Sequence, residues 1–288
     1  MFELIEIERR LERARQMEDD VTQRLWRPAN LAFVLALLVA AIISGGPGAT
    51  RAAADGGPPS GYISPEERAG AQKKDAALAA WLARSPALLF DYAEVTMSLW
   101  SEPQSFEARN WCGPGSVTAV VGQWRGNAYV DNYSDPRNGL GPDAYMAHLA
   151  RTAPGDYGMI VNQETSLGNY LRVVNAETLS SFYVGENPGT QSRYNDILSF
   201  DIFGSRHPLA PVANSAFLVG WGTTSVAHFV TVKQYWVSGD TTTYGDTASF
   251  VQSGSDLTIG WHVVSLTAFY TQAVQPIAPP VSFDLIVW

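Results

Sequence analysis

Cysteine is all but missing from this chain: Cys112 is the only one in 288 residues. That excludes an intrachain disulfide and any thiolate-rich metal centre. Histidine is scarce as well, and His148, His207, His228 and His262 are scattered without ligand-like spacing, so neither a metal nor a cofactor is expected. Charge is thin at 16%, and the 19 Lys and Arg are outnumbered by 28 Asp and Glu. The first 54 residues hold seven of each sign, so the remainder carries the whole net charge of −9 without a basic cluster. Such a surface argues against a nucleic-acid partner. Internal repeats are absent, and the only biased tract is a Gly/Pro/Ala-rich stretch at 45–61.

Apolar residues are plentiful by contrast. They make up 46% of the chain, with nine Trp, 12 Tyr and 12 Phe, enough for one large domain or two small ones with a real core. The apolar run at 31–44 falls short of the roughly 20 residues of a membrane span but has the length of a signal-peptide core. Arg24 and Arg27 precede it, and Ala52-Ala53-Ala54 follows before Asp55. Residues 1–54 therefore read as a signal peptide or membrane anchor. The first twenty residues fit neither part, and 21–54 alone are normally proportioned, so the expected true start is Val21. The expected location is secreted or cell-envelope, with membrane contact only through an uncleaved N-terminus. In an exported chain an odd cysteine is a free reactive thiol or an intermolecular partner.

Residues 55–62 read as a linker, 63–99 as a helical extension and 100–288 as the main domain. The extension carries a helix from Ser64 as N-cap through Pro65, Glu66 and Glu67, with Leu78, Trp81 and Leu82 at helical spacing. It is expected to lie on the outside of the domain. A second helix is expected from Gly113, where Val117, Val120, Val121 and Trp124 fall at i, i+3, i+4 and i+7. Further helices are expected at 142–152 and 165–174. After residue 200 the pattern turns to strands, at 215–221, 227–237, 241–251 and the C-terminal VSFDLIVW. Helices first and an antiparallel sheet second is an α+β arrangement.

A catalytic thiol has to be a thiolate, which a free cysteine of pKa about 8.5 mostly is not at neutral pH. A helix N-terminus supplies partial positive charge and an imidazolium a full one. Cys112 stands at the expected helix start, and Gly113 leaves room for a substrate backbone to approach. His228 lies in AHFVTVKQY, and a turn centred near Val237 sets Asp246 opposite it, where a carboxylate would fix the ring's tautomer and stabilise its charged form. Asp240 is the rival carboxylate but falls in the expected turn. His148, His207 and His262 read as structural, and Trp111, Trp221 and Trp261 as core or cleft lining.

Three pieces of the chain resemble the papain-like cysteine peptidases of family 39, the bacteriocin leader-peptidase type, and their exported relatives. NWCGPGSV is similar to that family's nucleophile motif, AHFVTVKQY to its histidine strand, and YGDTAS stands where it carries Asp-Pro. The resemblance covers roughly residues 100–272 and the order Cys, His, Asp. It implies a papain-like fold with N-terminal helices on a C-terminal antiparallel sheet, and cleavage of a peptide or amide bond in a peptide or protein substrate. Cys112 would be the nucleophile, His228 the base and acid, Asp246 the orienting group. The family's oxyanion glutamine stands six residues before the cysteine, where this chain has Phe106; the nearest glutamine, Gln104, is the expected donor beside the Cys112 N–H, with Asn110 a lesser alternative. Thr247 replaces the usual proline after Asp246. The displaced glutamine keeps a second reading open: a catalytically inactive domain of the same type that binds at the cell envelope.

Overall fold

A computed structural model describes residues 65–84, 91–105, 107–161, 164–248, 259–275 and 286–288. The expected signal or anchor segment, the Val21 start, the 55–62 linker and Phe106 lie outside the described residues.

Helix α1 (Pro65–Arg84) opens with Pro65, Glu66 and Glu67 and ends on Arg84, the charge order that suits a helix dipole. It does more than rest on the surface. Leu78 is fully buried in the larger core, and the Lys74 ammonium, 3.2 Å from Asp201, sits over the rings of Phe182 and Trp288. Burial lowers Lys74 to about 8 and raises Asp201 to about 6, while their mutual attraction opposes both shifts. The 63–99 segment is also not wholly helical. Its strand β1 (Tyr92–Glu94) pairs antiparallel with the strand at 231–236.

Helix α2 (Cys112–Arg125) is the central helix. Every residue from Gly113 to Gly122 is buried, because other elements enclose it on all sides. Around it come α3 (Asn127–Asp131), the small hairpin β2 (Ser134–Asp135) and β3 (Gly139–Leu140), and α4 (Gly141–Ala150). The hairpin of β4 (Ile160–Val161) and β5 (Glu164–Thr165) leads to α5 (Leu167–Glu177). Val117, Val120 and Val121 pack with Tyr145, Leu149 and Tyr170 in the second core. Polar bonds fix the helix's rotation: Ser116 Oγ lies 2.9 Å from the Tyr170 hydroxyl and 2.8 Å from Thr231 Oγ1, all buried.

The remaining elements are β6 (Gly185–Glu186), α6 (Gln191–Leu198) with a wider turn over Ser199–Ser205, β7 (Ala210–Asn214), β8 (Ala227–Phe229), β9 (Thr231–Trp236), β10 (Thr241–Asp246), β11 (Gly260–Ser265), α7 (Leu266–Ala268) extended by Phe269–Val274, and β12 (Ile286–Val287). They form two antiparallel four-stranded sheets, ordered β1-β9-β10-β11 and β6-β12-β7-β8. One chain segment serves both. It leaves β8 at Val230, whose N–H donates to the Pro211 carbonyl at 3.1 Å, and continues as β9 in the other sheet. The protein is therefore α+β, as its sequence pattern implies.

Three local expectations change. Residues 215–221 are not a strand: Asn214 caps a tight turn at Ser215–Phe217, and Gly220 and Gly222 take positive φ of 84° and 60°. The strand there is β7, just upstream. The expected single strand at 227–237 is two strands, divided at Val230. Helical segments also persist beyond residue 200, at Ser199–Ser205 and Leu266–Val274. No helix among the described residues is long and apolar enough to cross a membrane.

Candidate active site

Cys112 is the first residue of α2 and half-buried. A short helical turn at Ala108–Asn110 delivers the chain to it, with Trp111 N–H donating to the Ala108 carbonyl at 2.9 Å. Trp111 offers no side-chain cap and Pro114 has no N–H. The N–H groups of Cys112 and Gly113 thus have no carbonyl partner within their own helix and add the positive end of its dipole beside the thiol.

His228 sits at the centre of β8 and is only 3% exposed. The strand is aimed by β7, where Ala213 pairs with His228, and by Phe229, which stacks on Tyr170 at 4.7 Å. Asp246 ends β10 and is fully buried. His228 Nε2–H donates to Asp246 Oδ1 at 2.8 Å, and the Cys112 thiol is close enough to the same imidazole to help hold its proton. With Nε2 committed to the carboxylate, Nδ1 is the nitrogen left for sulfur. Cys112, His228 and Asp246, taken from the sequence, are thus brought together around one imidazole.

Burial by itself disfavours the imidazolium, but Asp246 and Cys112, through their charges and hydrogen bonds, lift His228 well above the ordinary histidine range. Asp246 shows the converse. Burial pushes its carboxyl up; His228, the Ala248 N–H at 2.9 Å and the Trp221 indole N–H at 2.8 Å outweigh that and hold it below the usual carboxylate range. Trp221 also lies over His228, ring centroids 4.6 Å apart, so it both bonds the carboxylate and shields the ion pair from water. The spacing of Trp221 carries no signal of this role, because the composition of 215–221 is that of a strand while the chain there forms tight turns.

The register differs from the one expected. The hairpin closes beyond Val237, with its centre between Ser238 and Gly239: Trp236 pairs with Thr241, and after a shift at Thr243/Tyr244, Gly245 pairs with Thr231. Asp246 therefore lies beyond the level of Thr231, and it meets His228 because the chain bends into β8 at Val230. Gly113 is likewise not open space. A Cβ there would lie 2.7 Å from Thr165 Cβ, so its small size is required by packing against the β4–β5 hairpin.

Gln104 is exposed on the bend before the Ala108–Asn110 turn, and its side chain makes no hydrogen bond among the described residues. The buried side chain of that loop is instead Glu102, at 3% exposure. Its N–H donates to the Thr247 carbonyl at 2.8 Å, and Thr247 Oγ1 donates to its Oε1 at 2.9 Å. Glu102 belongs to no motif, and its only signal in the sequence is position, a carboxyl in the segment that precedes the cysteine. Asp240 stays in the hairpin turn, accepting from Ser265 Oγ at 2.6 Å and Thr267 N–H at 2.8 Å.

The other histidines are structural. His207 stacks on Trp124 at 3.8 Å, and burial lowers it to about 4. His262 faces the Tyr244 ring at 5.2 Å. His148, Asp135 and Asp156 gather as metal-type ligands, but Arg137 Nη2 already lies 2.8 Å from Asp135 Oδ2 and 3.1 Å from Asp156 Oδ1. The guanidinium supplies the positive charge that the two carboxylates need.

No protein-family model, curated protein or solved structure matches this chain.

Proposed function

We propose that this protein is a thiol hydrolase of papain-like type that cleaves a peptide or amide bond. The observation that carries the reading is the buried His228–Asp246 hydrogen bond with Cys112, at the head of its helix, beside the same imidazole. Its support is physical: an imidazole held between a thiol and a carboxylate is the arrangement that makes a thiolate at neutral pH. A cysteine-bearing helix set against antiparallel sheets, one carrying the histidine and the other the carboxylate, also suits a papain-like fold.

In this reading the Cys112 sulfur attacks the carbonyl carbon, forming a C–S bond as the π pair moves to oxygen. His228 Nδ1–H then gives its proton to the departing amine as the C–N bond breaks. Water, deprotonated by the same nitrogen, attacks the thioester, and collapse returns the thiol. Asp246 stays ionised throughout and orients the ring. The acidic domain, its export and a site at the cell envelope complete the proposal, with the N-terminal segment as signal or anchor and a peptide or protein as substrate.

Profiling a peptide library with residues 55–288, wild type against Cys112→Ala, tests this. Cleavage products that require Cys112 support it. Products that persist undiminished in Cys112→Ala contradict it, and a library left intact by both favours the inactive, peptide-binding reading.

A further inference from the structure

Glu102 is the buried carboxyl that the triad does not use. The loop at 102–105 brings it in, and two hydrogen bonds to Thr247, one backbone and one side chain, fasten it to the residue that follows Asp246. Thr247 in turn lies against α2: a Cβ on Gly115 would come within 2.8 Å of Thr247 Cβ. Gly115 is three residues, less than one turn, from Cys112. Glu102 is therefore confined to the corner where α2 begins, close enough to His228 and Asp246 to feel both charges.

A tetrahedral intermediate on Cys112 needs donors aimed at its oxygen, and the Cys112 N–H provides one. Gln104 is exposed, and no hydrogen bond among the described residues holds it in readiness to be the other. We propose that Glu102, in its protonated form, donates the second hydrogen bond to the oxyanion formed on the carbonyl that Cys112 attacks. This rests on the thiol-hydrolase reading and adds a catalytic residue to it. Thr247 Oγ1 donates to Oε1, which marks Oε1 as the carbonyl-like oxygen and leaves Oε2 to carry the proton. Among the described residues nothing else bonds the carboxyl.

Protonation near neutrality is consistent with the surroundings. Burial, the largest influence, raises Glu102 to about 7; the His228 charge and the Thr247 hydroxyl pull it down, and Asp246 pushes it up. The groups facing it are His228 from β8 and Asp246 and Thr247 from β10 and its continuation. A neutral carboxylic acid in a dry site is a competent oxyanion donor. No proton leaves Glu102 in the step. As the C–S bond forms, the carbonyl π pair moves to oxygen, which accepts Oε2–H and the Cys112 N–H. As the pair returns, the C=O bond reforms and the leaving group departs.

Two reactions of the same sulfur separate this role from thiol activation. Acylation by p-nitrophenyl acetate passes through an oxyanion; alkylation by iodoacetamide does not. The ratio of the two rates cancels the fraction of thiolate. In the wild type that ratio is expected to fall about tenfold as pH rises from 6 to 8. In Glu102→Gln, whose amide donates at every pH, it should stay flat. In Glu102→Ala it should be roughly a hundredfold lower throughout, the usual cost of one oxyanion donor. A flat wild-type ratio overturns the proposal without any variant, and so does a Glu102→Gln enzyme as slow as Glu102→Ala. Alkylation that ignores His228 would strike the hydrolase reading instead, so the two failures are distinct.

Discussion

Trp221 Nε1–H donates to Asp246 Oδ2 at 2.8 Å, while the other oxygen of that carboxylate holds His228 at the same distance. The indole thus fixes the carboxylate that fixes the imidazole. Trp221→Phe keeps most of the ring over His228 and removes only the donor. A hydrogen bond to a charged group is worth about 1.5–3 kcal/mol. Because the protein adjusts in part, kcat on a cleaved peptide should fall about tenfold while KM changes little. Equal losses in Trp221→Phe and Trp221→Ala would show that shielding, not the hydrogen bond, is what matters.

Asp246 accepts from three groups, His228, Trp221 and Ala248 N–H, in a fully buried position. Asp246→Ala leaves all three donors unpaired and should destabilise the fold by about 3–5 kcal/mol, the cost of breaking a buried charged pair. Asp246→Asn preserves the shape and should cost far less stability yet lose most of the activity, because the imidazolium loses its counter-charge. Denaturant titration separates the two. Similar midpoints for both variants would contradict the burial argument.

Gly115 is small because Thr247 fills the space its side chain would take. Gly115→Ala has to displace Thr247, and with it the hydrogen bonds that hold Glu102. Overpacking of this kind costs about 1–3 kcal/mol, so Tm should drop by several degrees. The Cys112 acylation rate should fall as well, although the substituted residue touches neither sulfur nor substrate. Unchanged stability would mean that Thr247 moves freely.

Glu102 also predicts a stability effect. Its carboxyl is raised from 4.5 to about 7 by burial, so the folded state holds the proton more tightly than the unfolded chain does. Stability from this group is full below pH 4.5 and is lost as pH rises through about 7, on the order of 3 kcal/mol in all. Glu102→Gln has nothing to titrate there. The stability difference between wild type and Glu102→Gln, from urea unfolding at pH 5 and pH 8, should therefore shift in favour of the variant at pH 8. A difference independent of pH would place the carboxyl in contact with water.

Much of the site was legible because its signals were local. Cys112 before Gly-Pro marks a helix mouth, and the alternation in AHFVTVKQY marks a half-buried strand. The α+β order could be read in the same way. What periodicity could not convey was where the chain turns: the bend at Val230 and the glycine turn at 220–222 depend on tertiary packing, and they carry the true hairpin register and Trp221. Glu102 was hidden for a related reason. Its burial against Thr247, 145 residues away, leaves no local signal, whereas Gln104 stands out by residue type alone.

The central claim is that His228 keeps Cys112 in its reactive form, and the pH dependence of iodoacetamide alkylation tests it most directly. A thiolate–imidazolium pair predicts fast labelling of Cys112 already at pH 6, where an unassisted thiol of pKa about 8.5 is nearly inert. His228→Ala should slow that labelling at least tenfold at pH 6 and bring the two proteins together above pH 9. Wild-type labelling that rises only near pH 8.5, with no difference in His228→Ala, would contradict it.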